Sequence, residues 1–254
     1  LDTEVAYYSS GIKARLGFMP QGLGLNLYPE LSVDENLEFF ARLRKVSARD
    51  FSERRQSLLA MTRLEAYRER QMKHLSGGMK QKLGLACTLV HAPELLILDE
   101  PTTGIDPVSR RDFWSLLADL QYSRQLTVLV ATASMDEASR FHRLALVHAG
   151  RRLAAGTPDL IRASVPGSVI RLLTSQQPQA LAALRARFDQ VEAMGAWLRV
   201  FLPGSGEGAA IAAVRQALAD IPVERIHADA PQLEDIFLAL MRRQGRTSAP
   251  PASH

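Results

Sequence analysis

Residues 75–106 read LSGGMKQKLGLACTLVHAPELLILDEPTTGID, and two chemical signals lie close together in them. Leu95-Leu96-Ile97-Leu98 is an apolar run between Pro93 and Pro101 that ends in two adjacent carboxylates, Asp99 and Glu100. Such a run predicts a strand buried on both faces, as in a parallel sheet. Parallel sheets place their ligands at the carboxyl ends of their strands, where these acids sit. Successive side chains on a strand point to opposite faces, so one acid can face a Mg²⁺ and the other an attacking water. The plainer alternative is a strand that ends in solvated acids.

The second signal is Leu75-Ser76-Gly77-Gly78, directly before a helical pattern. Two glycines let the backbone approach a ligand closely. A helix that starts there turns its free N–H groups and positive dipole end toward an anion, and Ser76 adds a hydroxyl. An ordinary Ser-Gly helix cap is the plain alternative, and the PTTGID turn after the acids argues against it.

LSGGMKQK, LLILDEP and TTGIDP resemble the signature motif, the Walker B segment and the D-loop of ABC-type ATPases. The resemblance runs from about Gly17 to Pro158. It implies an α/β fold of the P-loop NTPase type with ATP and Mg²⁺ as cofactors. By that resemblance Glu100 polarises the attacking water, and Asp99 and Gln21 hold the Mg²⁺. Ser76, Gly77 and Gly78 meet the nucleotide of the opposing subunit, and Asp106 communicates between the two ATP sites. GFMPQGLGLNLYPELSVDENL looks like the Q-loop region of ABC-2 exporters. MPQGLG together with VATASMDEA also looks like the ribosome-associated ATPase branch. Implied partners are a second ATPase subunit and membrane permease subunits, or a ribosome on the alternative branch. The implied location is the cytoplasmic face of a membrane, reached through the permease.

Two positions depart from the family pattern. No Gly-Lys pair occurs in the 254 residues, so the phosphate-binding loop of Walker A is missing from them. The core therefore reads as N-terminally incomplete, through truncation, a split gene or a degenerate domain. At the H-loop, where the family carries His after Thr132, this chain has Ala133. Alanine offers neither donor nor acceptor to a γ-phosphate, which puts hydrolysis at this site in question. A third function class follows from these two departures, a regulatory subunit without catalysis.

Composition is that of an ordinary globular chain, 23% charged and 46% hydrophobic, with net charge +4. Its basic residues are dispersed among acids, which argues against a nucleic-acid tract. The single cysteine, Cys87, rules out an internal disulfide and reads as inert core. No apolar run approaches the ~20 residues that span a bilayer, and no signal peptide is visible.

Ser32-Val33-Asp34-Glu35 is a capping-box pattern that opens a helix through Leu43. Further helix is predicted over Phe51–Arg70, and residues of about 32–92 form a helical subdomain. A helix over Arg110–Tyr122, a buried strand over Thr127–Ala131 and His142 on the helix after it complete the core. The ATPase domain is expected to cover 1–166. From 167 to 243 the predicted order is βαββαβ, a ferredoxin-like regulatory or dimer-contact domain, followed by a closing helix Leu233–Arg242. Residues 244–254 read as a disordered tail.

Overall fold

The computed structural model describes residues 9–22, 24 and 26–247. They fall into two units that divide between Ala133 and Ser134.

The first unit is built on three parallel strands. Helix α1 (Ser9–Arg15) leads into β1 (Leu16–Met19). Two helices follow, α2 (Val33–Leu43) and α3 (Ala48–Thr62). The predicted capping box is present at α2: Ser32 Oγ accepts from the Glu35 N–H, and the Glu35 carboxylate accepts from the Ser32 N–H. Asn36, fully buried, accepts from the Tyr28 N–H at 2.8 Å and donates to the Tyr28 carbonyl, fastening the segment after Gln21 to α2. Helix α4 (Gly77–Leu89) runs back to β2 (Leu95–Asp99), α5 (Pro107–Arg124) crosses over, and β3 (Thr127–Ala131) closes the sheet. The order is β1-β2-β3, with Met19 beside Leu98 and Asp99 beside Ala131.

Sheet burial differs from the sequence expectation. Leu96 and Leu98 are fully buried under α4 and α5, in a core shared with Met19, Leu85, Phe113 and Leu120. The alternate residues form a row across the other face. Phe18, Ile97 and Leu129 pair in register, yet Phe18 is 48% and Leu129 57% exposed. Neither β2 nor β3 is therefore buried on both faces, because the helices of this unit pack on one side only. Asp99, two residues after Ile97, shares the open face.

One further expectation is corrected. The helix predicted over Phe51–Arg70 stops at Thr62, where Arg63 turns left-handed at φ 57° and caps it. Helix α1 precedes the sheet in a stretch with no clear pattern. Strand β1 ends at Met19, directly before Pro20, which has no N–H to continue a ladder.

The second unit begins with a short helix, α6 (Met135–Ala138), and His142 lies beyond its end rather than on it. A hairpin of β4 (Leu144–His148) and β5 (Arg151–Gly156) follows, then α7 (Pro158–Ala163). Then come β6 (Gly167–Leu173), α8 (Gln177–Arg185), β7 (Gln190–Met194), β8 (Trp197–Pro203), α9 (Glu207–Ala217) and β9 (Arg225–Asp229). They make an antiparallel sheet of order β7-β8-β6-β9, with α8 and α9 on one face over Ile170, Leu172, Leu198 and Val200.

The closing helix α10 (Leu233–Thr247) buries Leu233, Ile236 and Ala239 against Val169 and Phe201 of the sheet. Ala138, Leu146, Ile161 and Val165 join that same core. This explains why the packing boundary falls at Ala133/Ser134 and not at 166/167. The hairpin and α7 find apolar partners in α10. Helix α10 also takes in residues 244–247 of the stretch expected to be disordered, and 248–254 lie outside the described residues.

Candidate functional site

The parallel register carries three chain segments off the sheet at one edge. Gln21 follows β1 by two residues, Glu100 follows β2 directly, and Ala133 follows β3 by two. Gln21 is exposed, whereas Asp99 and Glu100 are half-buried. The alternation of a strand does not separate the roles of the two acids, because Glu100 has already left β2. Its backbone is left-handed, φ 46°, a conformation that costs a non-glycine residue about 1 kcal/mol.

Local hydrogen bonds hold Glu100 there. Its N–H donates to the Ala131 carbonyl at 2.9 Å, and its carbonyl accepts from the Thr103 N–H at 3.2 Å, closing a turn with Pro101 second. The carboxylate is held at both oxygens. Oε1 accepts the Ala133 backbone N–H at 2.7 Å, and Oε2 accepts the Thr103 hydroxyl at 3.0 Å. Ala133 therefore touches the acid after all, through its main chain. Neither donor was visible in the sequence, where Ala133 reads as chemically silent.

The signature turn is built differently. Ser76 is the N-cap of α4, and its hydroxyl accepts from the Met79 N–H at 3.3 Å. Ser76 is exposed, Gly77 half-buried and Gly78 buried. Gly78 sits against the start of α5: a Cβ there would lie 2.3 Å from Ser109 Oγ and 2.5 Å from Ser109 Cβ. No side chain fits that approach, which is the packing reason for glycine.

Asp106, three residues before Ser109, caps α5 by accepting from the N–H groups of Val108 and Ser109 at 3.0 and 2.9 Å. The Ser109 hydroxyl and these N–H groups hold its carboxyl below the usual carboxylate range. Thus Gly78 and Asp106 converge on Ser109, while Glu100 is engaged with Thr103 and Ala133. Gln81, which sequence reasoning passed over, bridges the two. It is 1% exposed and its amide donates to the Pro101 carbonyl, next to Glu100. A glutamine inside an otherwise apolar helix face was the signal that could have found it.

Among the described residues no group of three or more His, Cys, Asp or Glu is arranged to hold a metal. Cys87 is buried and its thiol is pushed up out of reactive range by desolvation, as expected of inert core. Among the described residues no helix is long and apolar enough to cross a membrane.

Comparison with known proteins fits this geometry. The ABC transporter family profile matches residues 4–103. The Nod factor export ATP-binding protein I of Bradyrhizobium diazoefficiens is 35% identical over 96% of this chain and 78% of its own length. The chain belongs to the ABC transporter ATP-binding family. The Nod factor export ATP-binding protein I of Neorhizobium galegae is 38% identical over 86% of this ABC chain. The probable multidrug ABC transporter ATP-binding protein YbhF of Escherichia coli is 35% identical over 94% of it. The ABC chain spans 62% and 41% of the lengths of these last two relatives. A solved ATP-binding subunit of an ABC transporter superposes with TM-score 0.54 at 29% identity, covering 64% of this chain and 67% of that one.

Proposed function

We propose that this ABC chain is the ATP-binding and ATP-hydrolysing subunit of an ABC-2 type exporter, held to the cytoplasmic face of a membrane by permease subunits. The names of its relatives, which speak of Nod factor export and of multidrug transport, favour export. The observation that carries the reading is the common edge where Gln21, Asp99, Glu100 and Ala133 leave the parallel sheet.

At that edge Glu100 serves as general base toward the attacking water. Asp99 and Gln21 offer hard oxygen donors, which suits a Mg²⁺ that keeps waters and takes its remaining ligands from phosphate oxygens. Bound there, the ion neutralises charge on the phosphates. The Ser76 hydroxyl and the start of α4 at Gly77 and Gly78 address the γ-phosphate held by a second ATPase subunit, with Asp106 beside them at the seam.

Because these residues include the part that acts across the seam, the chain completes a partner's ATP site in trans. The βαββαβ order with sheet order β7-β8-β6-β9 supports reading residues 167–243 as a ferredoxin-like domain for regulation or dimer contact.

The test mixes the chain with a homologous subunit that carries a Gly-Lys-Ser/Thr loop and measures ATP hydrolysis. Ser76→Arg in this chain is expected to lower the mixed rate about a hundredfold, as expected when a donor to the reacting phosphate is removed. An unchanged mixed rate overturns the reading.

A further inference from the structure

Residue 133 is the place where this chain lacks the family's histidine, and the structure offers a different set of contacts around Glu100. The Glu100 carboxylate is not left to solvent. One oxygen takes the Ala133 N–H at 2.7 Å and the other the Thr103 hydroxyl at 3.0 Å. Backbone geometry brings both donors to the carboxylate. Ala133 is two residues beyond the β3 register partner of Asp99. Thr103 closes the turn through its own N–H to the Glu100 carbonyl. The strained φ of Glu100 points the same way, since the turn that imposes it also folds the carboxylate back onto Thr103.

We propose that Thr103 is a positioning residue for the general base, and that the main-chain N–H of Ala133 together with the Thr103 hydroxyl aims the Glu100 carboxylate without any side chain at position 133. This rests on the reading of Glu100 as the base. A main-chain donor is indifferent to what side chain residue 133 carries, so the change from histidine to alanine leaves the aim of Glu100 intact. Two donors on the two oxygens also fix the plane of the carboxylate, which one contact cannot do. Each oxygen keeps a second lone pair, and one of these can take a proton from a water. Thr103 acts only through Glu100, so its loss should slow the chemical step and leave nucleotide affinity alone.

Two measurements test this. In the full chain, amide hydrogen exchange at Ala133 should speed up about tenfold in Glu100→Ala, the size of one charge-assisted hydrogen bond, and by less in Thr103→Val. Exchange at Ala133 that is the same in wild type and Glu100→Ala overturns the proposal, whatever the protein hydrolyses. In the assembled ATPase, Thr103→Val should lower kcat about tenfold with KM for ATP unchanged, and Thr103→Ser, which restores the hydroxyl, should recover most of it. A Thr103→Val enzyme with wild-type kcat also overturns it. An assembly in which the wild type itself hydrolyses nothing sinks the functional reading of Glu100, while the exchange result still decides whether the two-donor grip exists.

Discussion

Two carboxylates, one in each unit, show how differently a protein can hold an acid. Asp235 lies in the first turn of α10, is 1% exposed, and receives both the Arg199 guanidinium at 2.6 Å and the Gln232 N–H at 2.7 Å on one oxygen. Glu100 lies at the tip of β2, half-buried, held by a hydroxyl and an amide that carry no charge. The first arrangement joins a helix to a sheet and has no reason to open. The second holds a half-buried carboxylate by two neutral donors. An ion pair ties two elements together, whereas two neutral donors set the orientation of a carboxylate.

The largest effect that could break this contrast is expected at Asp235. Replacing it with Ala takes the nearer carboxylate from the Arg199 guanidinium, whose side chain is 16% exposed and whose other partner, Glu192, lies at 3.9 Å, and should cost about 3 kcal/mol in chemical denaturation. A cost below about 1 kcal/mol would place Asp235 with ordinary surface pairs and erase the distinction.

A smaller effect is expected at Glu100→Gly. Glycine relieves the left-handed backbone at φ 46° while the two side-chain hydrogen bonds are lost, so the stability change should stay within about 1 kcal/mol. A loss as large as that at Asp235 would mean that Glu100 is structural too.

The smallest concerns Asp106, an exposed acid whose carboxyl is held low by the Ser109 hydroxyl and the N–H groups at the start of α5. Its folded-state pKa is depressed, so its stabilisation is fully present above the unfolded value of 3.8 and fades as pH falls through the lower folded value. Melting curves of wild type and Asp106→Asn should therefore differ at neutral pH and converge in acid. A gap that widens on acidification would reverse the sign and remove the cap as its cause.

Much of this was legible in the sequence because it is written in local chemistry. Ser32 and Glu35 spell a capping box and form one. The glycines that open α4, the acids at the end of β2, and the order of strands and helices from β6 to β9 follow the pattern read from the sequence. What stayed hidden depends on partners distant in the chain. LLIL looks the same whether one or two layers cover it, so the exposure of Phe18 and Leu129 could not be read from hydropathy. The same holds for the packing of Leu146 and Ile161 with α10, which moved the boundary between the units. Main-chain donors carry no letter of their own. Ala133 was judged by its methyl group, while the atom that reaches Glu100 is the nitrogen common to every residue but proline.

The buried amide of Gln81 has one more implication. Its hydrogen goes to the carbonyl of Pro101, the residue that follows Glu100, so α4 is pinned to the turn after β2. Sliding α4 along its axis by even one residue, about 1.5 Å, would leave that amide in apolar surroundings with nothing to bind. Any motion that brings the Gly77-Gly78 turn toward a ligand must therefore carry the end of β2 with it, as one lever and not as two independent fingers.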